Sequence, residues 1–222
     1  MSIGEKFEVI ADEVYEVGKQ DMNEAWWRAI SNNYTRTDWN YAFQQANIRN
    51  IEPPQGTITV KNDAYRMFQS CKTNESIPTC FDCSGVTGVT HAFRWSSIKV
   101  FVDLKIPALS KYQGTWQECG NLETIEIIRC HENTVLDATF SALKNLKDVT
   151  FEGVIGQNIS FSASPLLSKE TLLSNGGDGV FGKLKDYEGT GTTRTITLHA
   201  DTKEMLTEAE KAIATQKGWT IA

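Results

Sequence analysis

The 222-residue chain lacks the features that mark several large functional classes. It has no cluster of Lys or Arg that could follow a phosphate backbone. Its 22 basic residues are outnumbered by 28 acidic ones, which gives a formal net charge of -6. Nucleic-acid binding is therefore disfavoured. No stretch reaches the roughly 20 apolar residues that cross a bilayer, so we expect no membrane partner.

A secretion signal is also missing from the beginning of the sequence. Residues 1–8, MSIGEKFE, have neither the basic start nor the continuous apolar run of a signal peptide. We therefore expect synthesis in a cytoplasm, with lysis or another non-secretory route delivering any protein that works outside a cell.

Catalytic motifs are scarce. No G-x-S-x-G is present, and only His91, His131 and His199 are available as histidine bases. The segment Gly85-Val86-Thr87-Gly88 lacks the Lys-Ser/Thr of a phosphate loop, and we interpret it as a turn between repeats. A glycosidase-like pair of acids stays open, because carboxylate pairing is a spatial property. The sequence predicts no catalytic residue.

The five cysteines give little support to a metal site. Cys80 and Cys83 form a C-x-x-C, but structural zinc usually needs a second close pair. The nearest alternative, Cys130-His131, places two adjacent side chains in different directions. We predict no metal and no cofactor, and no disulfide while the chain is in a cytoplasm.

What the chain does contain is an internal repeat. A small or medium residue followed by an aromatic anchor recurs with anchor spacings of 25, 25, 23 and 24 residues. The pairs are Ala42-Phe43, Met67-Phe68, Ala92-Phe93, Thr115-Trp116 and Thr139-Phe140. Units of about 24 residues bury a continuous core only by stacking, so the period predicts a solenoid in which Phe93 lies near Trp116.

A second element follows the anchors. It is clearest at 121–127 and 145–151, which share N-L-x-x-[IV]-x-[IF], and it recurs one residue shorter at 98–102. The alternation of apolar and polar residues is typical of a strand with one buried face. Short parallel strands are therefore predicted, with Leu122 near Leu146. The second copy, at 77–81, has an uncertain register.

The repeat resembles the BspA-type leucine-rich repeat. The resemblance rests on the anchors, on the small residue three positions after an anchor (Cys71, Ser96 and Cys119), and on the N-L-x-x-I-x-I element. The segments 164–170 and 206–220 are similar to the end of versions carried by gut bacteria and their phages. The resemblance implies an α/β leucine-rich-repeat solenoid with short parallel strands, and noncatalytic adhesins and interaction proteins as relatives.

Both ends of the chain carry their own predictions. Residues 1–39 are expected to form a helical extension, 40–155 the solenoid, and 156–222 a C-terminal strand-helix-strand cap. Four apolar residues spaced 3, 4 and 3 apart form a seam that could join copies of the chain as a coiled coil, unless the helix folds back as a cap. These residues are Phe7, Ile10, Val14 and Val17.

The C-terminal region is predicted in more detail. Residues 193–199 alternate as a strand, and Thr207-Glu208-Ala209-Glu210 is a capping box that starts a helix. Gly218 is expected to end that helix. The segment Trp219-Thr220-Ile221 then returns as a final strand beside Ile196 and Leu198.

The predicted ligand-binding surface is the outward side of the strands. These positions form a net acidic strip with one exposed aromatic residue, which suits a basic or polar partner. They are Lys99, Phe101, Asp103, Thr124, Glu126, Asp148, Thr150 and Glu152.

We interpret the chain as a noncatalytic binding or adhesion module for a protein or glycan. The resemblance implies that it is phage- or prophage-encoded, made in a bacterial cytoplasm and placed on a virion or used in surface recognition. Two alternatives stay open. One is a small phage-encoded inhibitor that masks a host protein, and the other is a glycan-degrading enzyme.

Overall fold

The structure is a computed structural model that describes residues 38–53, 56–174 and 179–222. It consists mainly of short parallel strands separated by turns. The strands are β1 (Ile58–Asp63), β2 (Phe81–Gly88), β3 (Val100–Phe101), β4 (Thr124–Cys130), β5 (Asp148–Gly153), β6 (Ile159–Phe161), β7 (Arg194–Leu198) and β8 (Trp219–Ile221). The helices are α1 (Lys169–Leu173), α2 (Val180–Lys183), α3 (Ala200–Glu204) and α4 (Glu208–Thr215). The fold is mixed α/β, and no helix among these residues is long and apolar enough to cross a membrane.

The strands form three small parallel sheets, ordered β1-β2, β3-β4-β5 and β6-β7-β8. In the middle sheet, Ile125 lies opposite Phe101 on one side and Val149 on the other. Ile128, three residues on, lies opposite Phe151. One extra residue in β4 therefore forms a bulge, which bends the strand and places Arg129 opposite Glu152.

Four of the five aromatic anchors pack in a column. Stacked ring centroids lie 5.0 Å apart for Phe43 and Phe68, 5.6 Å for Phe68 and Phe93, and 6.3 Å for Phe93 and Trp116. The fifth anchor, Phe140, contacts Phe161 at 4.6 Å. The predicted proximity of Phe93 and Trp116 is confirmed. The anchors are buried, and so are the small residues Cys71, Ser96 and Cys119 that follow three positions later.

The turns around the anchors share an unusual backbone conformation. The residues two before and two after each anchor have φ between 52° and 63°. They are Tyr41 and Gln45, Arg66 and Ser70, His91 and Trp95, Gly114 and Glu118, and Ala138 and Ala142. This left-handed region is uncommon for residues other than glycine. The backbone conformation therefore recurs with the same spacings as the anchors.

Backbone hydrogen bonds join one turn to the next. The N–H of Phe43 donates to the carbonyl of Met67 at 2.7 Å, and that of Phe68 donates to Ala92 at 2.7 Å. The N–H of Phe93 donates to Thr115 at 2.9 Å in the same way. Left-handed residues on either side of these anchors make equivalent bonds. The turns form a second hydrogen-bonded ladder in addition to the strands, and we call its surface, residues 41–45, 66–70, 91–95, 114–118 and 138–142, the turn face.

The C-terminal elements follow their sequence predictions. β7 coincides with the predicted strand, and β8 pairs with it in parallel, with Ile221 opposite Ile196. Thr207 and Glu210 form both hydrogen bonds of the capping box at the start of α4. Gly218 lies beyond the helix with φ of 78°. The predicted strand, helix and final strand are confirmed.

One prediction is wrong, and another concerns residues outside the described segments. The segment 85–88, predicted as a turn, lies inside β2, where a side chain at Gly88 would meet Asp63 of β1 at 2.7 Å. Glycine permits this close approach of two strands. The predicted helix, with Phe7, Ile10, Val14 and Val17, lies outside the described residues.

Candidate binding surface

The predicted ligand-binding surface on the outward side of the strands, which we call the strand face, is largely exposed, with Phe101 as the buried exception. Lys99, Asp103, Glu126, Asp148, Thr150 and Glu152 are exposed, and Thr124 is half-buried. Phe101 was expected to be exposed, but it is only 2% exposed. Its ring centroid lies 4.8 Å from that of Phe93 and 4.9 Å from that of Trp116. β3 has only two residues, so strict alternation does not extend from Lys99 to Asp103, and the register aligns Phe101 with inward Ile125.

The charges of the strand face are largely paired with one another. Arg129 donates to both carboxylate oxygens of Asp103, at 2.8 and 2.7 Å, and to Glu152 at 3.1 Å. Glu123 accepts from Lys147 at 2.6 Å and lies 3.6 Å from Lys99. Hydrogen bonding from Arg129 lowers the pKa of Asp103. The strip is therefore less acidic than its predicted residues alone suggest.

Arg129 was not among the predicted surface residues. It lies between Asp103 and Glu152, which are 26 and 23 positions away in sequence, close to the repeat period. This spacing was the available signal in the sequence. The bulge in β4, which sets the direction of Arg129, carries no obvious sequence mark.

Asp148 is also engaged. Its carboxylate accepts from the hydroxyls of Ser168 at 2.9 Å and Thr171 at 2.8 Å, at the beginning of α1. Glu126 accepts from the backbone N–H of Asp103 at 2.9 Å. These predicted binding residues hold the fold together, which leaves them fewer free acceptors for a ligand.

The cysteines lie in environments that suppress thiolate formation. Burial raises the pKa of Cys83, Cys119 and Cys130 to about 12. The Cys119 thiol donates to the carbonyl of Phe93 at 2.9 Å, which agrees with its prediction as a packed small residue. All five cysteines are free thiols. Within the described residues, no three His, Cys, Asp or Glu side chains are arranged to hold a metal ion.

A cluster of aromatic and basic side chains covers part of the turn face. We call Tyr65, Arg66, His91, Arg94 and Trp95 the aromatic-arginine patch. The rings of Tyr65 and His91 lie 6.4 Å apart edge to face, and the Arg66 guanidinium lies 4.9 Å from the centroid of Tyr65. The left-handed backbone positions two before and two after the anchors place His91 and Trp95 at this surface.

Trp95 is the most exposed aromatic side chain of the patch, at 46%. The Arg94 guanidinium lies 3.9 Å from the centre of the indole ring. Glu118, from the next turn, accepts from Arg94 at 2.7 Å and also from the indole N–H of Trp95. One carboxylate therefore fixes both side chains, so the indole is presented in a defined orientation.

His91 packs against the next turn. A side chain at Gly114, where φ is 58°, would come within 2.4 Å of the His91 Nδ1 atom. Burial lowers the pKa of His91, and the nearby Arg94 and Arg66 lower it further. The sequence predicted a surface or turn position for His91, but nothing in the spacing indicated that it would meet Arg66 and Arg94.

An open groove of about 720 Å³ lies at the carboxyl ends of β4 and β5, with residues after α2 on its other side. His131 and Glu132 line it, and Glu132 forms an ion pair with Lys185 across it. The predicted surface position of His131 after a strand is confirmed. Glu132 in this groove is already paired, whereas the buried Nε atoms of Arg66 and Arg94 on the turn face have no hydrogen-bond partner among the described residues.

Comparison of the chain with known proteins gave no matching family model, no matching curated protein and no matching solved structure.

Proposed function

We propose that the chain is a noncatalytic binding module whose repeats form a leucine-rich-repeat solenoid of the BspA type. The ring column and the backbone ladder between turns support the stacked arrangement, since both recur with the period of the sequence repeat. Under this proposal, residues 156–222 cap one end of the stack, with β6, β7 and β8 covering the last repeat.

The observation that carries the binding function is the aromatic-arginine patch. Trp, Tyr and Arg are the residues that contribute most often to binding energy at protein interfaces. Here Arg94 packs on Trp95, Tyr65 of the preceding turn contacts His91, and their backbone belongs to the hydrogen-bonded turn ladder. A partner that binds them therefore gains contacts without first ordering a loop, which lowers the entropic cost of binding.

The chemistry of the side chains favours binding over catalysis. The raised pKa values of Cys83, Cys119 and Cys130 keep these thiols protonated near neutral pH, whereas a catalytic cysteine needs a lowered value. The carboxylates of the strand face are engaged by Arg129, lysines and hydroxyls. None of these groups has the environment of an activated nucleophile or a general acid with a raised pKa.

The biological setting extends the proposal on sequence grounds. The repeat motif and the segments 164–170 and 206–220 support a phage- or prophage-encoded recognition protein, on a virion or at a surface. The seam formed by Phe7, Ile10, Val14 and Val17 supports oligomerisation through the N-terminal region.

The test is a binding screen of the full chain against arrayed proteins, peptides and glycans, with Trp95→Ala as the site variant. Leu166→Ala is the matched control, because Leu166 is a large apolar side chain with 50% exposure outside the patch. We expect Trp95→Ala to weaken binding at least about tenfold, as removal of a central aromatic does at an interface, while Leu166→Ala leaves it unchanged.

Equal affinities of the wild type and Trp95→Ala for every ligand would contradict the proposed surface. The same glycan collection, incubated with the chain and analysed for shortened products, tests the enzyme alternative. Release of products by the purified chain would replace the binding function with glycan degradation.

A further inference from the structure

Arg66 differs from the other arginines of the described segments. The side chains of the others bind acceptors: Arg49 donates to Thr73, Arg94 to Glu118, Arg129 to Asp103 and Glu152, and Arg194 to Gly156. Within residues 38–53, 56–174 and 179–222, the Arg66 guanidinium alone has neither a hydrogen bond nor an ion pair with the protein.

Arg66 is not a freely solvated surface residue. Its Nε atom is buried without a hydrogen-bond partner, and the residue as a whole is half-buried. A partly desolvated charge without a partner lowers stability, because lost hydration is not replaced. The Nε atom of Arg94 is also buried without a partner in the same patch. Two incompletely matched guanidinium groups therefore lie in successive turns.

The position of Arg66 is fixed by its backbone. Its φ is 54°, and its N–H donates to the carbonyl of Thr90 at 3.1 Å in the next turn. Its guanidinium lies over the ring of Tyr65. This contact limits the side-chain rotamers, so little further ordering is needed when an acceptor arrives. A carboxylate fits a guanidinium with two parallel hydrogen bonds.

The balance of charge in the patch is positive although the whole chain carries -6. Arg66 and Arg94 contribute two positive charges, and Glu118 is the carboxylate bound there. Glu118 is already shared between Arg94 and Trp95, so it does not neutralise Arg66. An acidic ligand is complementary to this local charge.

The aromatic geometry favours a protein over a glycan. A sugar ring stacks on an open flat aromatic face. In the patch, the Arg94 guanidinium covers one face of Trp95 at 3.9 Å, and the rings of Tyr41 and Tyr65 meet edge to face at 88°. An arginine thus lies over the ring of Trp95 and over that of Tyr65, and this arrangement suits side chains of mixed polarity at a protein interface better than a stacked sugar ring.

We propose that the aromatic-arginine patch binds an acidic segment of a partner protein, with Arg66 holding an Asp or Glu carboxylate and Tyr65 and Trp95 contacting the neighbouring apolar side chains. This inference rests on the proposed binding function and names the chemistry of its partner.

The experiment measures binding of immobilised poly-L-glutamate to the full chain by biolayer interferometry. Polygalacturonate serves as an acidic glycan and poly-L-glutamine as an uncharged polypeptide. Arg66→Gln removes the guanidinium, and Lys144→Gln removes one positive charge from an exposed residue outside the patch. We expect Arg66→Gln to weaken poly-L-glutamate binding about tenfold or more, the loss typical of a charged hydrogen bond, and Lys144→Gln to change it less than about twofold.

A thermal melt of each variant separates binding from structure. Because the Arg66 guanidinium has no hydrogen-bond or ion-pair acceptor among the described residues, Arg66→Gln is expected to melt at or above the wild-type temperature while it loses affinity. Arg66→Lys keeps the positive charge but loses the two parallel N–H donors of the guanidinium. It is expected to bind poly-L-glutamate with intermediate affinity. A lower melting temperature of Arg66→Gln together with unchanged affinity would assign Arg66 to structure and overturn the inference.

Other outcomes also overturn it. These are the absence of poly-L-glutamate binding, tighter binding of polygalacturonate than of poly-L-glutamate, and equal losses for Arg66→Gln and Lys144→Gln. The proposed function can survive each of them, because an arrayed ligand whose binding requires Trp95 but not Arg66 leaves the chain a binding module with a different kind of partner.

Discussion

The strand face and the turn face come from the same sequence repeats, but their charged side chains are paired with one another to different extents. On the strand face, Arg129 is held by Asp103 and Glu152, and Glu123 contacts two lysines. On the turn face, the Arg66 guanidinium has no acceptor within the described segments. Charges that satisfy one another connect neighbouring strands and offer little to a ligand. An unmatched arginine lowers stability by itself and becomes favourable when a partner supplies the acceptor.

The two faces also differ in backbone. The predicted strand-face positions lie in or next to extended strands, whereas every turn of the turn face contains two left-handed residues, most of them not glycine. Such a conformation costs about 1 to 2 kcal/mol for each residue with a side chain. Hydrogen bonds between successive turns and the buried ring column offset this cost. The turn face is therefore made from an unfavourable local conformation, and it depends on the ring column and on the hydrogen bonds between turns.

The largest effect is expected from the buried side of the turns. Phe93→Ala removes a ring from the middle of the column and should lower the free energy of unfolding by about 3 to 5 kcal/mol. Trp95→Ala, two residues later, removes a larger but half-exposed ring and should cost about 1 kcal/mol or less. Urea denaturation of both variants measures the difference. Similar losses would mean that Trp95 supports the fold, and the turn face would no longer qualify as a free binding surface.

The second prediction concerns the left-handed turn positions. Gly114→Ala places a side chain at φ of 58° and within 2.4 Å of His91, so we expect a loss of about 2 kcal/mol. Gly120→Ala, in the same repeat, meets no atom within 4 Å and should change stability by about 0.5 kcal/mol or less in either direction.

Ala138 allows the opposite substitution, from alanine to glycine, because it occupies the left-handed position equivalent to Gly114, with φ of 52°. Ala138→Gly is expected to raise the free energy of unfolding by about 0.5 to 1 kcal/mol, since glycine adopts this conformation without strain. Urea denaturation measures all three variants. A destabilised Ala138→Gly would show that the turns are not strained, and the contrast between the backbones of the two faces would disappear.

The third prediction concerns the ion pairs that Arg129 forms on the strand face. Arg129→Met should lower the free energy of unfolding at neutral pH by roughly 1 kcal/mol. This value is small because Asp103 and Glu152 are partly exposed and solvent screens their ion pairs with Arg129. Lys105→Met is the control, because the Lys105 side chain is 64% exposed and its ion pair with Asp82 is expected to contribute about 0.5 kcal/mol or less.

The effect of Arg129 should depend on pH in one direction. Arg129 lowers the pKa of Asp103 in the folded protein, so the stabilisation is present above the ordinary carboxyl pKa of about 3.9. It is lost as the pH falls through the lowered value. Urea unfolding of the wild type and Arg129→Met should therefore differ at neutral pH, and the difference should shrink as the pH falls below the ordinary carboxyl value. A constant difference would indicate a packing role for Arg129 in place of a charge role.

The period and the C-terminal elements were predictable because they depend on local sequence. The anchor spacing matches the spacing of the ring column and of the left-handed residues, since both follow from one repeated unit. The alternation before His199 and the pair Thr207 and Glu210 are sufficient to define β7 and the start of α4. The strand β1 was missed, although Ile58 and Val60 alternate with threonines, because it lies outside the repeated motif.

The candidate site was mostly not predictable. Phe101 was placed outward because alternation was extended through a strand of two residues, whereas its inward position follows from the register with Ile125. The aromatic-arginine patch depends on which side chains meet across successive turns. That depends on left-handed backbone at Arg66 and His91, which neither residue type indicates in a sequence.

The smallest effect is expected from His91, and it tests whether the turn face disfavours the protonated imidazole. Burial, with Arg94 and Arg66 nearby, lowers the pKa of His91, so the unfolded chain binds a proton more readily than the folded one. The free energy of unfolding should therefore decrease as the pH falls through the ordinary histidine value of about 6.5. His91→Asn, which tolerates the φ of 54°, should remove this part of the decrease. Urea unfolding at about pH 7.5 and about pH 5.5 compares the two slopes. Parallel slopes would show that the folded turn face does not disfavour a proton on His91, and the electrostatic difference between the two faces would then rest on Arg66 alone.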